Sequence, residues 1–326
     1  MLLSLTAIVA GLVLLTWSAD RFVTGAAALA RHLGAPPLLI GVTIVGIGTS
    51  APEILVSLSA SLGGTPNLAV GNAIGSNITN VALVLGLTAL ITPLGVASVI
   101  LRRELPLLLV VSGLALLFCW DLQLARWEGA VLCVGFVAVL TWMIRLSRTV
   151  APDDPMIAEV LESAELDKPL SLRAAWIWVG VGLVLLPSSA QLLVYGASDI
   201  ARHFGISDMV IGLTIVAIGT SLPELAATLA SALRKEADLA IGNVLGSNLF
   251  NLLIVLGLPG LIAAPALEPD LLSRDLPYML GLTIATFIMA WGFAGRPGRI
   301  NRLEGALLLG AFIAYQLILA AQNNLI

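Results

Sequence analysis

Residues 48–60 read GTSAPEILVSLSA, and nearly the same string, GTSLPELAATLAS, returns at 219–231. Each copy sets a proline beside a glutamate inside a long apolar run. Proline removes a helix hydrogen bond, and a carboxylate held away from water is costly unless it is paired. Two such costs at one spot, repeated, call for a chemical reason.

The rest of the chain sets the medium around those glutamates. Of 326 residues, 59% are hydrophobic and 11% charged, with a mean hydropathy of +1.02. Soluble domains carry about 25% charged residues. One aqueous core could not hide this much apolar surface, so a multi-span membrane protein is indicated. The net charge is -4 and there is no basic tract, which argues against a nucleic-acid partner. Cys119 and Cys133 lie in apolar segments and are too few for a disulfide framework or a cysteine zinc site. Two histidines, His32 and His203, leave little for histidine catalysis. The opening MLLSLTAIVAGLVLLTWSA lacks the basic residues of a signal peptide and reads as a first helix.

An apolar run of about 20 residues crosses a bilayer. The pattern predicts ten spans, at roughly 2–30, 36–62, 67–95, 103–121, 127–147, 173–201, 207–233, 238–263, 273–294 and 302–322. With a fixed offset of 171, residues 31–87 align without gaps to 202–258, and 28 of 57 positions are identical. The expected organisation is a first five-helix repeat (1–148, motif 41–87), a short acidic linker (149–172) and a second repeat (173–326, motif 212–258). Five is odd, so the second repeat enters the membrane from the opposite side. The fold class is therefore an all-α membrane protein of two inverted five-helix repeats, an arrangement typical of transporters. Arg31, Arg102, Arg103, Arg145, Arg148, Lys168, Arg173, Arg234, Lys235, Arg296, Arg299 and Arg302 fall on one side; Arg126, Arg202 and Arg274 fall on the other. The positive-inside rule then puts the linker in the cytoplasm and both termini outside.

The polar residues inside these spans keep helical spacing. Thr49 and Glu53, Ser76 and Asn80, and their mates Thr220 and Glu224, Ser247 and Asn251, are each four apart and share a helix face. Ser50 and Ser221 stand three before the glutamates. Pro52 and Pro223 are expected to free the carbonyls of Gly48 and Gly219. GNAIGSN (71–77) and GNVLGSN (242–248) suggest loosened backbone in the next span of each half. Every candidate ligand is a hard oxygen, which suits calcium, sodium or magnesium and argues against zinc, copper or iron. Taken singly, GTS or GSN serves close helix packing. The glutamates differ, because an ionisable residue in mid-span marks function by default. Asp20 reads as a partner of Arg21 or a bend cap, and Asn72 and Asn243 as either ligands or helix-to-helix bonds.

At these strings the sequence resembles the cation/calcium exchanger superfamily, specifically sodium/calcium exchanger-like membrane proteins, whose two alpha-repeats carry GTS-x-PE followed by GN-x-x-GSN-x-x-N. Both motifs stand here in full, twice. The resemblance implies electrogenic antiport of sodium inward against calcium outward across the plasma membrane. It implies cation ligands at Glu53, Glu224, Thr49, Ser50, Thr220, Ser221, Ser76, Ser247, Asn80 and Asn251, with the backbone oxygens of Gly46 and Ala217 as sodium ligands. No cofactor and no obligatory protein partner are expected, calcium and sodium being cargo. Potassium-dependent relatives have aspartate where this chain has Asn251, so transport is expected to be potassium-independent. The linker is too short for folded calcium-sensing domains.

A proton/calcium antiporter would use the same glutamates, and the sequence leaves that alternative open. An intramembrane enzyme with Ser50 or Ser221 as nucleophile is disfavoured, because no histidine or lysine stands at a spacing to activate it.

Overall fold

The computed structural model describes residues 2–33, 46–64, 66–96, 99–147, 170–203, 217–291 and 298–322. Its helices in chain order are α1 (Leu2–Leu33), α2 (Ala51–Leu62), α3 (Pro66–Ile91), α4 (Val99–Phe118), α5 (Arg126–Ser147), α6 (Leu172–His203), α7 (Leu222–Leu233), α8 (Ala237–Ala263), α9 (Leu276–Trp291) and α10 (Arg302–Gln322). Single helical turns, Ile47–Thr49 and Ala217–Thr220, precede α2 and α7. Among the described residues, Pro66–Ile91, Arg126–Met143, Ala237–Ala263 and Arg302–Gln322 are helices long and apolar enough to cross a membrane. The predicted intervals 36–62 and 207–233 begin outside the described residues, as does nearly all of the acidic linker.

Two central helices, α3 and α8, form the core. Their apolar windows are 72% and 89% buried inside the protein, whereas those of α5 and α10 are 22% and 28% buried. Leu, Ile, Val and Trp on the peripheral helices face outward, among them Val110, Leu117, Val134, Ile177 and Leu307. An apolar exterior around a polar-bearing centre suits a lipid surround.

Small residues set how closely the helices approach. A Cβ on Gly86 of α3 would lie 3.1 Å from the Gly305 carbonyl oxygen of α10, and one on Gly305 would lie 2.7 Å from the Gly86 oxygen. In the other half a Cβ on Gly129 of α5 would meet the Leu261 nitrogen of α8 at 2.2 Å. Without a hydrophobic drive between helices in lipid, such backbone contact is a main source of association. The 32-residue helices α1 and α6 pack along each other. Trp17 meets Trp178 edge-on at 5.6 Å, Arg21 lies over the Trp178 ring, and Ser4 Oγ donates to Asp199 Oδ2 at 2.5 Å.

Two short strand contacts close the loops. Leu94–Val96 (β1) pairs antiparallel with Gly298–Ile300 (β2), joining the loop after α3 to the loop before α10. Gln123 bridges to Ala266, joining the loop before α5 to the loop after α8. The helical reading of the sequence did not anticipate either contact.

Candidate cation-binding site

The repeated GTS-x-PE string builds the same local structure twice. The helical turn ends at Thr49 or Thr220, the chain kinks at Ser50 (φ -82, ψ 3) or Ser221 (φ -87, ψ 3), and a new helix begins. Proline stands where its missing N–H does no harm, within the first turn. Glu53 and Glu224 therefore fall in the first turn of α2 and α7, where the positive end of the helix dipole favours a carboxylate. The Ser50 carbonyl accepts the Ile54 N–H at 3.1 Å, and that of Ser221 accepts the Leu225 N–H at 3.0 Å.

The expectation that Pro52 leaves the Gly48 carbonyl free needs correction: a backbone N–H at the kink reaches that oxygen. The kink tightens the turn, so a nearer donor takes the place of the one that proline lacks. The oxygen keeps a second lone pair. The Gly46 carbonyl accepts the Ser50 N–H at 3.1 Å and the Thr49 hydroxyl at 3.3 Å. Ala217 opens the turn before α7.

Thr49, Ser50, Glu53, Ser76, Asn80, Ser247, Asn251 and Glu224 are each 0% exposed, Ser221 2% and Thr220 7%. The structure brings the two buried glutamates together. Ser50 Oγ donates to Glu224 Oε1 at 3.1 Å, and Ser247 Oγ to the same oxygen at 3.4 Å. Thr49 also lies beside Glu224, and Thr220 beside Glu53. Each kink thus faces the glutamate of the other half.

Many buried polar atoms here have no hydrogen-bond partner among the described residues. They include both carboxylate oxygens of Glu53, Glu224 Oε2, the hydroxyls of Ser76 and Ser221, and both amide atoms of Asn80 and Asn251. Buried polar groups are normally bonded, and an unpaired buried carboxylate costs on the order of several kcal/mol. Oxygens so arranged fit a hard cation, whose charge removes that cost. Among the described residues, no group of three or more His, Cys, Asp or Glu side chains is placed to hold a metal, so any cation here would rely on hydroxyl and amide oxygens beside the two glutamates.

The loosened backbone lies elsewhere than expected. Residues 71–77 and 242–248 are regular α-helix. Wide π-helical turns begin instead at Asn80 (Asn80–Leu85) and at its mate Asn251 (Asn251–Val255). The Leu256 N–H reaches back five residues to the Asn251 carbonyl at 2.9 Å. Such insertions cluster at functional sites. Helix α2 packs against the second half's π-turn and α7 against the first half's. Ser57 Oγ donates to the Val255 carbonyl at 2.6 Å, a contact that the sequence reading missed. Side-chain spacing carries no mark of a π-turn; asparagine at both mate positions is the nearest signal.

Asn72 and Asn243 make helix-to-helix bonds. Asn243 Nδ2 donates to Thr228 Oγ1 at 2.9 Å and to the Glu224 carbonyl at 3.4 Å, and Asn72 Oδ1 accepts from Thr220 at 3.3 Å. Asn77 Nδ2 approaches Met279 Sδ. The side chains of Asp20 and His203 lie outside the described residues; His32 Nε2 meets the Leu170 carbonyl oxygen at 2.6 Å. Outside this group Glu104 of α4 is 0% exposed, and among the described residues neither of its oxygens has a hydrogen-bond partner.

A family profile described as sodium/calcium exchanger protein matches residues 3–145 and 174–321. The chain belongs to that family. CaxA of Alkalimonas amylolytica is 50% identical over 319 residues, covering 98% of this chain and 99% of that protein. The inner membrane protein YrbG of Escherichia coli is 44% identical over 317 residues, covering 97% and 96%. A solved structure of the sodium-calcium exchanger NCX_Mj, soaked with sodium and calcium, superposes with a TM-score of 0.79 at 32% identity, covering 96% of this chain and 97% of that one. The family is one of membrane antiporters, not enzymes, so the protein is a multi-pass membrane cation/calcium exchanger.

Proposed function

We propose that the protein exchanges sodium, moving inward, for calcium, moving outward, by alternating access, with Glu53 and Glu224 as the shared acidic ligands. One observation carries this reading: two buried glutamates, one from each repeated helix, meet, and three of their four carboxylate oxygens lack a hydrogen bond among the described residues. Thr49, Ser50, Thr220, Ser221, Ser76, Ser247, Asn80 and Asn251 complete the ligand set. The Gly46 and Ala217 carbonyls serve sodium, Gly46 through whatever capacity its two hydrogen bonds leave.

The carboxylates can be satisfied by one calcium or by several sodium ions, but not by both loads at once. An empty site leaves two carboxylates close together in a medium of low dielectric. Loading either ion relieves that repulsion and permits the switch, which couples the two fluxes. Three sodium ions for one calcium would carry one net charge inward, so transport senses voltage. Asparagine at both 80 and 251 favours potassium independence.

The chain crosses the plasma membrane ten times as two inverted repeats, 1–148 and 173–326, with the 149–172 linker cytoplasmic and both termini outside. The loop contacts support this reading, which assigns the paired loops of β1 and β2 to the cytoplasmic side and the bridged loops of Gln123 and Ala266 to the outer side. Helices α1 and α6 carry no ligand and are the elements placed to slide across the rest.

Proton/calcium antiport is the second reading. It is favoured by the bare Glu53 carboxylate, which one proton would also neutralise. Calcium flux in proteoliposomes, driven by a sodium gradient at equal pH, separates the two. Flux there supports sodium coupling; none there, with flux under a pH gradient, transfers the assignment to protons.

A further inference from the structure

The two π-turns are closed in different ways. In a regular helix the Val255 carbonyl would accept the N–H of residue 259, but residue 259 is proline and has none. Ser57 Oγ of α2 supplies a donor instead, at 2.6 Å, and Ser57, Val255 and Pro259 are all buried. In the first half, residue 88 stands where Pro259 stands in the second, and it is threonine. Thr88 Oγ1 donates to the Val84 carbonyl, the mate of Val255, at 2.7 Å. That carbonyl is therefore served from its own helix. Thr228, the mate of Ser57, accepts instead from Asn243 Nδ2 at 2.9 Å. Hydroxyls commonly satisfy the groups that proline frees in membrane helices. Here the second half draws its hydroxyl from the opposite half.

Both partners in this bond lead to proposed ligands. Ser57 stands four residues after Glu53, on the same face of α2. Asn251 opens the π-turn that Val255 closes. We propose that Ser57 is a positioning residue: its bond to Val255 pins the second π-turn to α2 and so sets the distance between the Asn251 amide and the Glu53 carboxylate. These two ligands come from opposite halves, so their spacing decides which cation fits between them. Calcium takes its oxygens at about 2.3–2.6 Å. Strontium, of the same charge, is larger and needs a wider ring. A held spacing discriminates between the two ions, whereas a loose one adapts to either. The inference rests on the proposed site at Glu53, Glu224 and Asn251, but not on which ion is exchanged for calcium.

Calorimetric titration of the purified full chain with calcium and with strontium, beside its melting temperature, tests this. Ser57→Ala should weaken calcium binding about tenfold and strontium binding about twofold, so the ratio of strontium to calcium Kd falls. Its melting temperature should drop, because the buried Val255 carbonyl loses a donor. Adding Pro259→Ala restores an N–H to that carbonyl from its own helix. The double variant Ser57→Ala, Pro259→Ala should then melt like the parent and still show the lowered ratio, because the tie between α2 and the π-turn is missing. It also carries the test where Ser57→Ala alone does not fold. Pro259→Ala alone, with Ser57 in place, should keep the parental ratio. A parental ratio in Ser57→Ala, or its return in the double variant, would reduce Ser57 to a structural role and overturn the proposal. A lowered ratio in Pro259→Ala alone would overturn it too, since the proline would then set the spacing. A parent protein that binds no calcium would instead sink the site assignment, and this inference with it.

Discussion

The Ser50 hydroxyl, from the first half of the chain, donates to Glu224 Oε1 in the second at 3.1 Å, whereas among the described residues neither the hydroxyl of its repeat mate Ser221 nor the Glu53 carboxylate beside Thr220 is within hydrogen-bond geometry of a partner. The two halves share a sequence pattern but divide the polar contacts unequally. Ser50→Ala should therefore weaken calcium transport more than Ser221→Ala. A hydrogen bond to a charged group contributes about 1.5–3 kcal/mol, so roughly a ten- to hundredfold rise in the calcium concentration for half-maximal flux is expected for Ser50→Ala. Equal effects from both variants would sink the inequality.

Glu53→Gln and Glu224→Gln should each nearly abolish calcium transport, because either change halves the charge that balances a divalent cation. Their effects on stability should differ. Without ions, Glu53→Gln removes a buried charge that has no hydrogen bond and raises stability by about 1–3 kcal/mol. Glu224→Gln also weakens two hydroxyl contacts, so it gains less. Melting in detergent with chelator, read beside calcium flux, checks both points. Full flux in either variant overturns the ligand assignment.

Glu104 tests whether burial alone makes a glutamate functional. Its oxygens are as bare as those of Glu53. Its repeat mate is Asp275, which Arg274 and Tyr315 hold. Glu104→Gln should retain calcium exchange and raise the melting temperature. Loss of flux comparable to that in Glu53→Gln would place Glu104 in the transport machinery.

Asn251→Asp would add a third carboxylate to the site. Calcium exchange should then become sensitive to potassium or to pH in a way that the parent is not. Flux profiles over both variables, unchanged from the parent, would remove Asn251 from the ligand ring.

The contact between α1 and α6 depends on glycine. A Cβ on Gly196 would lie 2.5 Å from the Ser4 carbonyl oxygen, and backbone cannot step aside as a flexible side chain can. Gly196→Val should cost about 1–3 kcal/mol, seen as a lower melting temperature, and should slow exchange if these helices slide. An unchanged melt and rate would mean that the pair is loosely seated.

The sequence by itself determined the medium, the duplication and the list of oxygens. Apolar content, the 171-residue offset and the paired GTS-x-PE strings are properties of the order of residues, and a mid-span glutamate beside proline has few uses other than cation chemistry. Tertiary structure decided which atoms remained open. Whether the Gly48 carbonyl is free depends on how tightly the kink closes. Whether backbone loosens at 71–77 or at Asn80 depends on the partner helix, since α7 packs on that π-turn. That Ser50 is bonded and Ser221 is not has no sequence signal at all, because both occupy the same motif position. Spacing fixes which residues share a helix face. The packing of one half on the other fixes distances and hydrogen-bond partners across them, and these made two similar strings into unequal parts of one site.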